Sequence, residues 1–432
     1  MTTKTAVLLF ALLLLLPVPM AGAEPVERLA IVGGRLIDGL ASEASMDAVV
    51  LVEGDTITAV GGREIIPVGT RVIDLGSATL LPGLIDTHVH PLMVGDDYQI
   101  DHLKRSSAYK ALRGLAAMQR GLEAGWTSLR IVGSADVFYA PVDVKRAIDG
   151  GLFRGPRLAV AGHYISITGG GGDINFMSPE QSLIADGLVV DGVDEVRRAI
   201  RQEVKYGSDW IKLLVTGAFM SAGDNPRDVH FSAEELAVAM EEANRLNVPV
   251  MAHAHSADGI KMAVRAGVRS IEHGTFIDAE GIELMVQNGT YLVPTMYIGD
   301  YYIDEMADSE AQKKMVELSI KYRDEFFENI GNAIRGGVKV ALGSDFGGTD
   351  PRLQAREFGS LIEAGMTPMQ AIKAGTSVAA ELLRWQDRVG SIAPGRQADL
   401  IAVAGDPLAD ISELERVVFV MKGGQVIKAP GQ

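Results

Sequence analysis

His88 and His90 flank a single valine inside an apolar run at residues 81–90. On a strand, residues two apart share a face, so both imidazoles project to one side. Two neutral imidazoles on one face can chelate a divalent cation such as zinc. A pair of satisfied core histidines has the same spacing, so the pair alone decides nothing. Further chemistry stands at comparable places along the chain. Of its eight histidines, His88, His90, His163, His253, His255 and His273 fall at or near the ends of β-like runs, as do Lys212, Thr216 and Asp345. His102 and His230 fall in connections.

The elements that must position these groups can be read from patterning. β-like runs at 81–90, 127–132, 158–163, 210–216, 248–255, 270–273, 291–296 and 338–345 alternate with amphipathic stretches such as 108–124, 193–206, 233–246 and 257–266. Ser232-Ala233-Glu234-Glu235 reads as a capping box opening the third of these. Eight strand–helix units in series predict an α/β fold, a (β/α)8 TIM barrel, over residues 81–390. Active sites of that fold lie at the C-terminal strand ends, where these polar residues collect. Short strand-and-turn patterns at 24–80 and 391–432 predict a small β-sandwich domain assembled from both ends of the chain.

Composition narrows the function classes. The chain has 432 residues, a formal charge of −16 and no cysteine. Disulfides and thiolate catalysis are excluded, and nucleic acid is not an expected partner. Lys4, an apolar run from Ala6 to Leu16 and Ala21-Gly22-Ala23 read as a signal peptide over residues 1–23. Export to the periplasm or medium is the expectation, with no stable membrane insertion once the leader is removed. The Gly169–Gly172 run lacks the Lys-Ser/Thr of a phosphate-binding loop and reads as an active-site loop.

The string Leu81-Pro82-Gly83-Leu84-Ile85-Asp86-Thr87-His88-Val89-His90 resembles the amidohydrolase superfamily. So do the opening Gly34–Gly39 and the closing Gly390–Leu400, so the resemblance spans nearly all of the chain after the leader. It implies metal ligands at His88, His90, Lys212, His253, His273 and Asp345. It also implies two divalent metal ions, zinc by preference, bridged by a carboxylated Lys212 formed with carbon dioxide. A lysine snorkelling from the barrel mouth is the plain alternative. Asp345 would hold a metal and act as the catalytic base toward the attacking hydroxide, then deliver the proton to the leaving nitrogen. On spacing alone either His253 or His255 could be the ligand; the family pattern points to His253 and leaves His255 for substrate.

Within the superfamily the chain resembles the prolidase-like, Xaa-Pro dipeptidase and carboxypeptidase-like group, which includes ochratoxin-hydrolysing amidohydrolases. Ile165–Asp173, Leu213–Gly217 with Ser221–Pro226, Val250–His255 and Ile271–Thr275 carry this likeness. Two positions depart from it. Gly171 stands where a histidine is usual, and Ile131 follows Arg130 where an aspartate often does. The implied reaction is hydrolysis of an amide to a C-terminal amino acid in a small-molecule amide or dipeptide, ochratoxin A included. The implied assembly is a homo-oligomer, octamers occurring in the group. A substrate carboxylate needs a cation or several donors. Arg130, His230, Tyr297, Tyr301 and Tyr302 are candidates. His163 is a candidate for substrate contact, for steadying the ligands, or for plain packing. A mononuclear deaminase is disfavoured, because no glutamate follows His253 closely. A cyclic amide hydrolase of the same superfamily is the other alternative. A non-catalytic relative is disfavoured by retention of all six ligand positions.

Overall fold

The computed structural model describes residues 27–94, 97–220, 224–309, 312–348 and 350–431. The expected leader at 1–23 lies outside them. One mixed sheet draws strands from both ends of the chain. Leu400–Val403 pairs antiparallel with Thr79–Pro82, and Arg28–Leu36 pairs parallel with the same strand. Arg28–Leu36 branches: its start pairs Arg71–Asp74 and its end pairs Thr79–Pro82. This folds the eight strands into a sandwich-like body around Ile31, Val50, Leu80, Leu400 and Phe419.

Thr79–Pro82 passes through Gly83 directly into Leu84–His90, the first barrel strand. A Cβ at Gly83 would lie 2.1 Å from Thr127 Oγ1, so only glycine fits where the chain changes sheets. The barrel continues through Trp126–Val132, Arg157–Ala161, Ile211–Leu214, Val250–Ala254, Ser270–His273 and Tyr291–Val293, all paired parallel where they meet in ladders. Strands three and four join through Trp210 N–H to Val160 O and through Tyr164–Ser166.

The eighth position is irregular. Residues 338–345 lie between strands seven and one, held by Ala341 N–H to Leu292 O and Thr87 N–H to Leu342 O. They form no continuous ladder, and the cause is local. The Asp86 carboxylate accepts the Ser344 and His88 N–H groups that a regular pairing would use. Val132, Ala159, Met251, Val293 and Ala341 come from strands two, three, five, seven and eight and pack together, which fills the barrel interior. The helices outside bury their apolar stripes on the outer face. The capping box at Ser232 and Glu235 is present.

Candidate metal centre

The C-terminal strand ends converge on one cavity of about 300 Å³. His88, His90, Lys212, His253, His255, His273 and Asp345 all line it. Strand one supplies His88 and His90, with ring centroids 5.4 Å apart. Strand four supplies Lys212, strand five His253, and strand six His273. His255 follows strand five by one residue and completes the ring set, 4.5 Å from His253 and 4.9 Å from His273.

Two sets of three groups bring ligand atoms within 4.8 Å of one another. One is His253, His255 and His273; the other is His88, His273 and Asp345. They share His273, so the pocket offers two adjoining positions for a cation. His90 stands beside the second set, its Nε2 3.1 Å from Asp345 Oδ1; His88 Nε2 is 3.3 Å from the same oxygen.

The outer partners test whether these rings suit a metal. A ligating imidazole has its second nitrogen tied to a carboxylate, carbonyl or hydroxyl, which sets tautomer and orientation. Each ring here has such a tie. His88 Nδ1 meets Glu272 Oε2 at 2.6 Å, and His90 Nδ1 meets Gly133 O at 2.7 Å. His253 Nε2 meets Gly217 O at 3.2 Å. His255 Nδ1 and His273 Nδ1 meet Thr275 and Thr295 hydroxyls at 2.8 and 2.7 Å. The donor set therefore fits a divalent cation.

Burial favours the neutral form of His90, His253, His255 and His273, the form that binds metal. It drives His253 and His273 well below the usual imidazole range and His255 to about 3. Burial also brings the Lys212 ammonium down to about 8, against the pull of Glu272 and Asp345. Burial alone would raise Asp345, but His88, His90 and His273 outweigh it and hold the carboxylate well below its ordinary value.

Backbone strain gathers at the same strand ends. His273, Thr295 and Asp345 have φ of 71°, 53° and 60°, in the left-handed region that non-glycine residues avoid. The turn at His273 has a clear effect. Glu272 already points inward, since it reaches Arg130 and His88 across the barrel. Simple alternation would send His273 outward; the positive φ returns it to the cavity. At Gly343 a Cβ would sit 2.6 Å from the His88 Cβ, so glycine lets strand eight approach the pair.

The amidohydrolase family profile matches residues 79–427. The chain belongs to the amidohydrolase family. Its sequence is 33% identical over 442 residues to ochratoxinase of Aspergillus niger, covering 96% of this chain and 90% of that protein. The crystal structure of A. niger ochratoxinase superposes with a TM-score of 0.83 at 31% identity, over 94% of this chain and 97% of that one. A Xaa-Pro dipeptidase with methionine bound in its active site superposes with a TM-score of 0.85 at 33% identity, over 93% and 99%. This amidohydrolase is a metal-dependent enzyme acting on amide or peptide-like bonds, its clustered His and Asp residues capable of holding divalent metal.

Four residues expected to touch substrate are placed elsewhere. Arg130 is fully buried below the site, its guanidinium 2.9 Å from Glu272 and 4.6 Å from the Trp210 ring. It braces the carboxylate that orients His88. His163 lies under the helices, its Nδ1 2.7 Å from Glu203 and its ring edge-on to Tyr139. The packing option is the one the structure supports there. His230 reaches back to Asp224 at 3.2 Å beside Gly170. The Tyr297 hydroxyl turns away to accept from Arg356, and the backbone there is clamped by Glu357. Tyr301 and Tyr302 do line the cavity.

Two functional carboxylates escaped sequence reasoning. Glu272 immediately precedes His273, and Asp86 precedes His88 by two; a charged residue inside an apolar strand was the available signal. Glu272 is held at about 2, since Arg130 and His88 outweigh its burial. Asp86 is pushed up to about 6 by burial, against hydrogen bonds from Ser344 and Gln354.

Proposed function

We propose that this amidohydrolase cleaves an amide to a C-terminal amino acid, as a dipeptidase, carboxypeptidase or N-acyl amino acid hydrolase. One observation carries the reading: five strand-end histidines and Asp345 face one cavity, each ring oriented from behind by a second partner. The likeness to an ochratoxinase and a Xaa-Pro dipeptidase supports this substrate class, with ochratoxin A as one member.

His88, His90, Lys212, His253, His273 and Asp345 would hold two divalent ions, zinc by preference, with Lys212 carboxylated. When bound, such ions polarise the amide carbonyl and lower the pKa of an attacking water. The protein's own contribution follows from its geometry. Asp345, fixed between His88 and His90, accepts the proton of the attacking water at its carboxylate and passes it to the departing nitrogen. His255, with Nδ1 tied to Thr275, stands beside the His253–His273 position and would present Nε2 to the substrate where those two rings hold the ion. Arg130, Glu272 and Ser270 form a buried frame that keeps His88 from turning. Export, guided by residues 1–23, and assembly into a homo-oligomer such as an octamer belong to the same proposal. Among the described residues, no helix is long and apolar enough to cross a membrane.

The test is a screen of zinc-loaded protein against Xaa-amino acid dipeptides and N-acyl amino acids, ochratoxin A included, with products read by mass spectrometry. Turnover of a carboxylate-bearing amide is expected; none on any of them rejects the proposal. Intact mass under native conditions tests the carbamate: the expected increment is one carbon dioxide, absent from Lys212→Met.

A further inference from the structure

The helix Lys313–Arg335 carries apolar residues on two faces. Val316, Phe327, Ile330 and Ala333 are buried. Met315, Leu318, Tyr322 and Phe326 recur every three or four residues along another stripe, are only half-buried, and line the cavity that holds the histidines. The loop after strand four faces them with Phe219, which is half-buried as well. Phe219 joins wall to centre: its ring meets His255 edge-on at 4.6 Å and Tyr322 at 6.0 Å. The wall is braced from behind. Phe276 packs 5.0 Å from Tyr322, and the Arg227 guanidinium lies 3.8 Å above the Phe276 ring. The one arginine on the cavity-facing stripe, Arg323, is already paired with Asp300 and Glu363.

An apolar face turned into a cavity is surface that a ligand can cover. We propose that Phe219, Met315, Leu318, Tyr322 and Phe326 form a selectivity subsite for a large apolar group, aromatic or branched aliphatic, joined to the scissile amide. The inference rests on the amide-hydrolase reading for its reaction, and on cavity shape and composition for its preference. Continuity commits the occupant: the wall and the histidines line the same cavity, and Phe219 touches both. The apolar group can belong to the acyl or the amino-acid side of the amide, and the experiment separates the two.

Three ligands decide it: N-acetylalanine as reference, N-benzoylalanine with a large acyl group, and N-acetylphenylalanine with a large amino-acid side chain. At least one large substrate is expected to exceed the reference by about tenfold in kcat/KM. Phe219→Ala and Tyr322→Ala are each expected to cut that ratio by about tenfold, equivalent to about 1.4 kcal/mol. Calorimetric binding of the same ligands to Asp345→Asn protein gives a readout without turnover and should rank them alike. Turnover with no size preference, or a preference unmoved in both variants, overturns the subsite. Ranked binding with no turnover of any amide leaves the subsite standing and rejects the amide-hydrolase reading instead. Equal binding of all three ligands rejects the subsite whatever the kinetics.

Discussion

The floor and the wall of the cavity are built on different principles. On the floor every ring is fixed by a directional bond, and the carboxylate behind His88 is itself fixed by Arg130 and Ser270. None of the five rings can rotate without breaking its bond to a second partner, which is costly where the group left unpaired is buried. The wall is held by aromatic packing and contains half-buried methionine, leucine and phenylalanine. Such contacts are weak singly and tolerate exchange. The contrast suggests a division of labour. Chemistry is entrusted to rigid strand ends, and choice of substrate to a helix and loop that can vary without disturbing the strands.

That division can be broken in order of effect. Asp345→Asn should lower kcat by about 10²–10⁴-fold with circular dichroism unchanged, because it removes the proton acceptor from the floor. Full activity would refute the mechanism. Glu272→Gln comes next. It leaves the Arg130 charge buried without its partner, at a cost of about 3–5 kcal/mol in urea unfolding of the metal-free protein. A loss below 1 kcal/mol would show that the floor is not over-determined in the way described.

Glu357 gives a third test, at the start of the helix Tyr297–Glu305. It accepts the Met296 and Tyr297 N–H groups, and burial pushes its carboxyl up from 4.5 to about 8. A raised carboxyl pKa means the folded state prefers the protonated form. Its stabilising contribution is complete below pH 4.5 and is lost as the pH rises through about 8. Glu357→Gln should therefore flatten the decline of Tm across that window. A variant whose profile overlays the parent would remove Glu357 as the cause. The smallest effect serves as a control away from both regions. Ser232→Ala deletes the cap of an outer helix and should cost about 1 kcal/mol, with kcat/KM unchanged.

The barrel was legible because period-two runs and 3.6-period stripes alternate cleanly. Ser270–His273 and the helices Val193–Tyr206 and Ala257–Ala266 match their patterns to the residue. The eighth strand was legible only as an apolar run. Its ladder is interrupted by a side chain from strand one, and no local pattern announces a competitor 258 residues away. The expected substrate contacts failed for a related reason. Arg130, His163 and Tyr297 are the right residue types near the right strand ends, but a side chain's direction depends on what else is buried beside it. Arg130 follows Glu272 inward, His163 follows Glu203 outward, and Tyr297 follows Arg356.

By itself, the sequence determined that histidines, a lysine and an aspartate would stand at successive strand ends, since residue type and alternation are local properties. Only the tertiary structure decided which of them share a cavity. His273 turns inward through a positive φ that no periodicity encodes. His255 joins the ring set because the ends of strands five and six meet. The helix that walls the cavity looks, as sequence, like any amphipathic helix with a wide apolar face. That part of this face lines the histidines' cavity rather than the core is set by where the chain returns after strand seven, a long-range fact that side-chain chemistry alone does not carry.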